Sequence, residues 1–275
     1  MEYLYGLHSV EEALRSGSRR FDYVCIARER HSPGSGPGTS QGQQDHRLAQ
    51  LLDLCRKSGV RTRLEPRDAL TRMAQTTAHQ GVIAVVRERE YLALEDILSG
   101  PEPRLVLALD GVEDPQNLGA LLRTAECSGV DSILLTERRS APLSPVAVKA
   151  SAGAAEHLRI ARVVNMVRSL ETLKEHNLWC VGLDERGTQD YDQFDFSSNT
   201  VIVLGREGAG LHDLVRRTCD HLLRIPMAGQ VSSLNVSAAG AVVLFEAARQ
   251  RRSAQPPVPA ATAQPKPRRQ KGLGS

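Results

Sequence analysis

One arginine flanks the buried face of a predicted helix that begins at the end of a predicted strand. The stretch "DPQNLGALLRTAE", residues 114 to 126, has apolar residues at helical spacing, which predicts a core face. Arg123 flanks that face, and Gly119 lies one turn earlier on the same side. Glycine inside a helix costs about 1 kcal/mol relative to alanine, so we expect something to occupy the missing side chain's space. Arg123 either covers the core edge with its stem or binds a ligand there.

A glycine-rich loop carries the second polar group. The segment "LGREGAGL", residues 204 to 211, follows the strand-like "TVIV", and its glycines run G-x-x-G-x-G. That order differs from the G-x-G-x-x-G of dinucleotide-binding proteins, and a Walker lysine is absent too, so both of those classes are poorly supported. Glu207 in this loop is a carboxylate at the carboxyl end of a strand, where it is either solvated or directed at a ligand.

The third loop leads into the last predicted helix. In "IPMAGQVSSLNVSAAGA", Ser232 or Ser233 can cap that helix, which places Asn235 in its first turn. Capping explains either Ser233 or Asn235 alone, but not the pair. The small residues at positions 237 to 241 give the helix a bare side, which predicts close approach of another backbone, from the same domain or from a second subunit.

The elements around these loops predict an α/β fold. From Arg104 onward, strands that are apolar on both faces alternate with helices, which indicates a parallel sheet covered on both sides. Ligands of such sheets bind at the carboxyl ends of the strands, where all three loops lie. The first part of the chain, residues 1 to 90, predicts a smaller α/β unit that opens with the helix "LHSVEEALRSG".

Three segments have compositions unlike either unit. Residues 30 to 45 are rich in Gly, Pro, Ser and Gln, which predicts a flexible insert. Residues 91 to 103 end with two prolines and are expected to form a linker. Residues 251 to 275 are rich in Pro and Ala and basic near their end, so we expect a disordered basic tail.

Composition limits the partners and the compartment. A net charge of +3 is compatible with a nucleic-acid partner, and 4% aromatic residues argue against recognition by stacking. The five cysteines include no CxxC pair and accompany no leader-like N-terminus, so we expect a reduced, cytoplasmic protein without a metal site. No apolar stretch approaches the roughly 18 residues of a membrane span.

The three loops together carry a resemblance to a known family. "DPQNLGALLRTAECSGV", "VIVLGREGAGL" and "LRIPMAGQVSSLNVSAAGAVVLFEA" resemble the ordered motifs of the SpoU-type (TrmH family) RNA 2'-O-ribose methyltransferases of the SPOUT superfamily, over residues 104 to 250. "YGLHSVEEAL" and "AHQGVIAVV" are similar to the ribosomal-protein-like RNA-binding domain of the branch that methylates a guanosine of 23S rRNA. The resemblance implies a deep trefoil knot in the C-terminal sheet domain, a homodimer through the knot, and S-adenosyl-L-methionine as cofactor.

The resemblance also implies roles for individual residues. The cofactor's adenine would lie in an apolar slot, held mainly by backbone groups at Leu204, Gly205, Ile225, Met227 and Leu234. The family's functional positions correspond to Asn117, Arg123, Glu207, Ser233 and Asn235.

In methyl transfer to a ribose hydroxyl, we expect these side chains to have different roles. Arginine is a poor general base, so for Arg123 we expect a bidentate grip on an RNA phosphate and stabilisation of the developing alkoxide. Glu207 and Asn117 are expected to hold Arg123 or the target ribose. Ser233 and Asn235 are expected to orient the substrate loop and the cofactor carboxylate. On this interpretation, the space at Gly119 serves the approach of RNA.

Two alternatives remain open at this point. The sister branch methylates a guanosine of the tRNA D-loop and usually lacks the N-terminal domain, which therefore favours ribosomal RNA over tRNA. The other alternative is a non-catalytic RNA-binding or ribosome-assembly protein with the same fold. In either case we expect residues 1 to 90 to select the RNA, with Arg61, Arg63 and Arg72 as candidates for phosphate contacts.

Overall fold

Two β-sheets, one in each half of the chain, organise the structure. The computed structural model describes residues 1–28, 40–99, 102 and 104–254. The first sheet has four strands in the order β1-β4-β2-β3, and the second has seven strands in the order β7-β6-β5-β10-β8-β11-β9.

The N-terminal unit is a mixed sheet with helices on its faces. Only β2 and β3 pair in parallel, while β4 pairs antiparallel with β1 and β2. The first helix ends at Gly17 (φ +65°), as predicted from the sequence. The elements are β1 (Glu2–Tyr5), α1 (Leu7–Ser16), β2 (Phe21–Ala27), α2 (Ser40–Lys57), β3 (Thr62–Glu65), α3 (Arg67–Ala74) and β4 (Val82–Val86).

The structure changes the outline of the predicted insert and linker. Helix α2 begins at Ser40, inside the range assigned to the flexible insert, whose residues 30 to 39 lie outside the described residues. The first residues of α2 are polar, but its later turns bury an apolar face that includes Leu51. Packing of this face stabilises the whole helix, including its polar start. Within the predicted linker, α4 (Leu94–Ile97) is helical and buries Ile97. That stretch is therefore docked rather than extended.

The C-terminal sheet is parallel throughout, which confirms the predicted fold class. Its elements are β5 (Leu105–Leu109), α5 (Pro115–Ser128), β6 (Ser132–Thr136), α6 (Pro145–Ala150), a 3-10 turn (Ala154–His157), β7 (Arg159–Val163), α7 (Met166–Glu175), β8 (Trp179–Leu183), β9 (Gln189–Asp190), a second 3-10 turn (Tyr191–Gln193), β10 (Thr200–Leu204), α8 (Asp213–Thr218), β11 (His221–Arg224) and α9 (Val236–Ala254). The trefoil knot stays a prediction.

The last helix extends into the range assigned to the tail. Arg251, where the predicted tail starts, lies in α9, and its guanidinium donates to the carbonyl oxygens of Phe196 (2.9 Å) and Ser198 (2.7 Å). These hydrogen bonds fasten the end of α9 to the loop that precedes β10. Residues 255 to 275 of the predicted tail lie outside the described residues.

Close helix packing explains the glycine of α5. A Cβ on Gly119 would lie 2.4 Å from the Cβ of Ala150 and 2.6 Å from the carbonyl oxygen of Ala147, both on α6. The missing side chain therefore makes room for α6, and the expectation that it admits RNA is wrong. The bare side of α9 also faces its own chain, because a Cβ on Gly240 would lie 2.4 Å from Leu121 Cδ2.

A buried ion-pair cluster joins the two units. Arg19 of the N-terminal unit donates from Nε to Glu156 Oε2 (2.9 Å), and its Nη1 lies 2.8 Å from Glu2 Oε2. The Glu156 side chain is fully buried, and Ser18 Oγ also donates to it (2.7 Å). Because each charge is paired and hydrogen-bonded, the cluster can be buried without a large penalty. Among the residues that the structure describes, no helix has both the length and the apolar character to span a membrane.

Candidate active site

The three loops singled out from the sequence meet at the carboxyl ends of the parallel strands. Strand β10 pairs with β5 on one side and with β8 on the other, and β8 pairs with β11. The loops after β5, β10 and β11 therefore share one edge of the sheet, as the parallel arrangement predicts.

A hydrogen-bonded network of three side chains connects these loops. Asn117 Nδ2 donates to Glu207 Oε2 (2.9 Å), and Asn235 Nδ2 donates to Glu207 Oε1 (3.0 Å). Asn235 Nδ2 also donates to Asn117 Oδ1 (3.0 Å). Both oxygens of the carboxylate thus accept an amide hydrogen bond, each from a different loop. Glu207 holds the first turn of α5 and the start of α9 in a defined relation to the glycine loop.

The cap of α9 fixes the orientation of Asn235. Its Oδ1 accepts hydrogen bonds from the backbone N of Ser237 (2.8 Å) and from Ser237 Oγ (2.6 Å). Asn235 is thus the N-cap residue, and the expectations that Ser232 or Ser233 caps the helix and that Asn235 lies in its first turn are wrong. Since the cap requires an acceptor, the oxygen faces the helix and the amide nitrogen is left to face Glu207.

Arg123 and Ser233 lie outside this network. Arg123 is exposed on α5, and its guanidinium forms no hydrogen bond or ion pair within the described ranges. It is six residues beyond Asn117, which is about 9 Å along a helix axis. The structure therefore does not support the expectation that Glu207 and Asn117 hold Arg123. Ser233 is also exposed and lines the neighbouring cleft.

All five predicted cofactor positions line that one cleft. It is open to solvent and encloses about 150 Å³. Its wall includes the predicted residues Leu204, Gly205, Ile225, Met227 and Leu234. The sequence did not predict the further wall formed by residues 183 to 186, because no motif marks the end of β8.

The glycine loop closes the cleft by folding back on itself. Arg206 and Gly210 exchange two backbone hydrogen bonds of 3.0 Å, and Gly210 has a φ of +67° that favours glycine. A Cβ on Gly205 would lie 2.3 Å from the backbone carbon of Gly210, so a side chain at position 205 would force the loop to shift. This tight turn places Glu207 at the lip of the cleft.

The side chains and backbone groups of the cleft suit a ligand with a flat ring and a polar edge. Met227 and Leu234 are 38% and 40% exposed, so they offer apolar surface to a ligand. Within the described residues, the backbone groups of positions 226 to 234 form no hydrogen bonds and are open to one. On the opposite wall, burial raises the pKa of Asp184, but hydrogen bonds from Arg186 outweigh it and hold this pKa below its ordinary value. One wall of the cleft therefore carries the Asp184–Arg186 ion pair, and the other is apolar.

The larger domain combines a parallel sheet, an Asn–Glu–Asn network at the strand ends and a cleft without a dinucleotide fingerprint. This arrangement agrees with the resemblance to the SpoU-type RNA methyltransferases. Residues 104–245 match the SpoU rRNA Methylase family. Residues 39–92 match the RNA 2'-O ribose methyltransferase substrate binding domain. The chain belongs to the SpoU rRNA methylase family.

Proteins of known activity are similar over nearly the whole chain. The 23S rRNA (guanosine-2'-O-)-methyltransferase RlmB of Vibrio parahaemolyticus is 40% identical over 92% of this chain and 99% of its own length. The Escherichia coli protein of that name is 38% identical over 91% of this chain and 99% of its length. The SpoU methyltransferase AviRb from Streptomyces viridochromogenes, solved with AdoMet, has a TM-score of 0.73 and 26% identity over 91% of this chain and 90% of its own.

Proposed function

We propose that this protein transfers a methyl group from S-adenosyl-L-methionine to the ribose 2'-hydroxyl of a guanosine in 23S ribosomal RNA. The main support is the Asn117–Glu207–Asn235 network at the lip of a cleft that all five predicted cofactor positions line, in a chain of this family. Relatives that this chain covers over 99% of their length carry that activity in their names.

The cleft accounts for cofactor binding. When bound, S-adenosyl-L-methionine supplies an electrophilic methyl group on a sulfonium, which needs no further activation by the protein. Leu204, Ile225 and Leu234 would contact the adenine, and the open backbone between residues 226 and 234 would bind its polar edge. Gly205 lets the backbone of Gly210 approach closely, which keeps the glycine loop folded beside that slot.

The polar residues account for positioning of the ribose. Glu207 is already satisfied by Asn117 and Asn235, so its role is to fix the three loops and to present an anionic edge to the sugar. Arg123 is free to bind an RNA phosphate through its planar fork and to stabilise the developing alkoxide. The hydroxyl proton leaves to that phosphate or to water, since a guanidinium is a poor general base. Ser233, on the cleft wall, orients the substrate.

The N-terminal unit supplies RNA selection in this proposal. We assign residues 1–90 to RNA binding, 91–103 to the linker and 104–250 to methyl transfer. Arg61, Arg63 and Arg72 are exposed, and the Arg63 guanidinium lies 3.9 Å from the centre of the Tyr23 ring. That cation–π contact holds one cation in place on the surface for a phosphate.

The assembly and the compartment belong to the same proposal. Met227, Val231 and Leu234 beside the cleft are large apolar residues with substantial exposure, and Phe245 on α9 is 50% exposed. This apolar surface supports a homodimer that buries the predicted knot region. Free cysteines and a ribosomal RNA substrate support a cytoplasmic location.

Methylation of defined RNAs tests the proposal. The full-length protein is incubated with labelled S-adenosyl-L-methionine and either a 23S rRNA transcript or a tRNA pool, and the RNA is digested to nucleosides. We expect 2'-O-methylguanosine from 23S rRNA and none from tRNA. Cofactor binding without methylation of either RNA would favour a non-catalytic RNA-binding protein, and labelling of tRNA alone would favour the tRNA branch.

A further inference from the structure

Arg206 places an unpartnered cation beside the active-site cleft. Its Nε is shielded from solvent and has no hydrogen-bond partner, a state shared by only one other buried side-chain atom among the described residues, Ser132 Oγ. The rest of the guanidinium also forms no hydrogen bond or ion pair within the described ranges. Arg186, the other arginine of the cleft, is by contrast paired with Asp184 (3.0 Å). A buried donor without an acceptor costs free energy, and a bound ligand would remove this cost.

The stem of Arg206 runs away from the adenine slot. A Cβ on Gly111, just after β5, would lie 2.9 Å from Arg206 Cγ and 3.2 Å from Cδ, so the stem lies across that glycine. The same position is 3.3 Å from the carbonyl oxygen of Arg139, which follows β6. Since β5 and β6 lie on the opposite side of β10 from β8 and β11, the side chain extends away from Leu183 and Ile225.

The two carboxylates next in sequence to Arg206 and Gly111 are already engaged. Glu207 accepts from two amides, and Asp110 Oδ2 accepts from both the backbone N and the Nδ1 of His212, each at 2.9 Å. Neither carboxylate is therefore available to pair with Arg206. Arg138 and Arg139, after β6, are exposed and add two further cations at this edge.

We infer that Arg206, Arg138 and Arg139, which we call the basic rim, bind a backbone phosphate of the substrate RNA next to the target ribose. This inference rests on the proposed function. A phosphate presents the acceptor oxygens that a planar guanidinium binds in a two-point manner. The rim leads outward from the lip of the cleft over the ends of β5 and β6, so it would fix the direction in which the RNA strand leaves the site.

Substitution of the rim in the full-length protein tests the inference. We expect Arg206→Gln to weaken binding of a 23S rRNA transcript by about 10-fold and to lower the slope of log affinity against log salt by about 0.7 to 0.9, the loss of one phosphate contact. The affinity for S-adenosyl-L-methionine should change less than about 2-fold. Arg206→Lys keeps the charge but loses the fork, and should recover only part of the binding.

Two further variants keep the test decisive. Arg168→Gln removes an exposed arginine from α7, outside the rim, and should leave RNA affinity unchanged. Arg139→Gln, at an exposed site, should weaken RNA binding even where Arg206→Gln fails to fold. Unchanged RNA affinity and salt slope in both rim variants overturn the inference, as does a loss confined to cofactor affinity. Failure of the wild-type protein to methylate RNA overturns the proposed function instead.

Discussion

Adding one methyl group to α5 tests the packing that positions the site. In Gly119→Ala, the new Cβ would lie 2.4 Å from Ala150 Cβ and 2.6 Å from the Ala147 carbonyl oxygen. Carbon atoms in van der Waals contact are about 3.5 to 4.0 Å apart, so α5 and α6 must separate by about 1 Å. That movement disturbs the helix that carries both Asn117 and Arg123.

Two opposing effects set the magnitude of this change. Alanine favours the helix over glycine by about 1 kcal/mol. Overpacking a close contact costs about 1 to 3 kcal/mol, and the approach to a backbone carbonyl places this site at the upper end. We therefore expect a net loss of about 1 to 2 kcal/mol, which corresponds to a fall in Tm of roughly 2 to 8 °C for a chain of this size.

The single tryptophan of the chain makes the measurement specific. Trp179 lies at the start of β8 in the larger sheet, so its fluorescence during urea unfolding reports on the domain that contains α5. Cys127→Ala, on the exposed face of α5, is the matched control and should stay within about 0.5 kcal/mol of the wild-type protein. A Gly119→Ala protein that is more stable than wild type by about 1 kcal/mol would refute the packing argument, because only helix propensity would then be acting.

Three further substitutions separate catalysis, loop positioning and domain docking. Arg123→Ala should lower the single-turnover methylation rate by about 10²-fold. Tm and cofactor affinity should change little, since the Arg123 side chain has no partner to lose. Arg123→Lys should recover little of the rate, and near-normal rates for Arg123→Ala would contradict the catalytic role of Arg123. Glu207→Gln puts an amide donor against Asn117 or Asn235 and should slow methylation by at least about 10-fold in the same assay; an unchanged rate would show that the network is dispensable. Glu156→Gln leaves buried Arg19 with the carboxylate of Glu2 alone and should lower the free energy of unfolding by about 3 kcal/mol in urea titrations. Glu12→Gln, beside exposed His157, should cost about 1 kcal/mol or less; equal effects of the two would contradict the docking role.

Hydrophobic spacing was sufficient to predict most of the elements. Helix α1 stops at Gly17 as predicted. The predicted strands of the second half all take part in the parallel sheet, as their apolar character indicates. Strand β1 was not predicted, since it is only four residues long and its pairing with β4 depends on residues about 80 positions away. The start of helix α2 was assigned to the flexible insert because its first turns are polar and its apolar residues come later in the sequence.

The location of the site followed from strand order, but its detailed contacts did not. Parallel strands bring their carboxyl ends together, which was enough to predict that Asn117, Glu207 and Asn235 lie close to one another. The direction in which Gly119 faces depends on the packing of α6, which local spacing does not encode. In the same way, the unpartnered state of Arg206 depends on Gly111, nearly a hundred residues earlier in the chain.

Mapping of 2'-O-methylated nucleotides in cells tests the proposed function most directly. Ribosomal RNA and tRNA are compared between cells with the gene, cells without it, and deleted cells that express either the wild-type protein or Arg123→Ala. We expect one guanosine of 23S rRNA to lose its methyl group on deletion, to regain it with the wild-type protein, and to stay unmodified with Arg123→Ala. A change confined to tRNA, or an unaltered methylation map after deletion, would contradict the account.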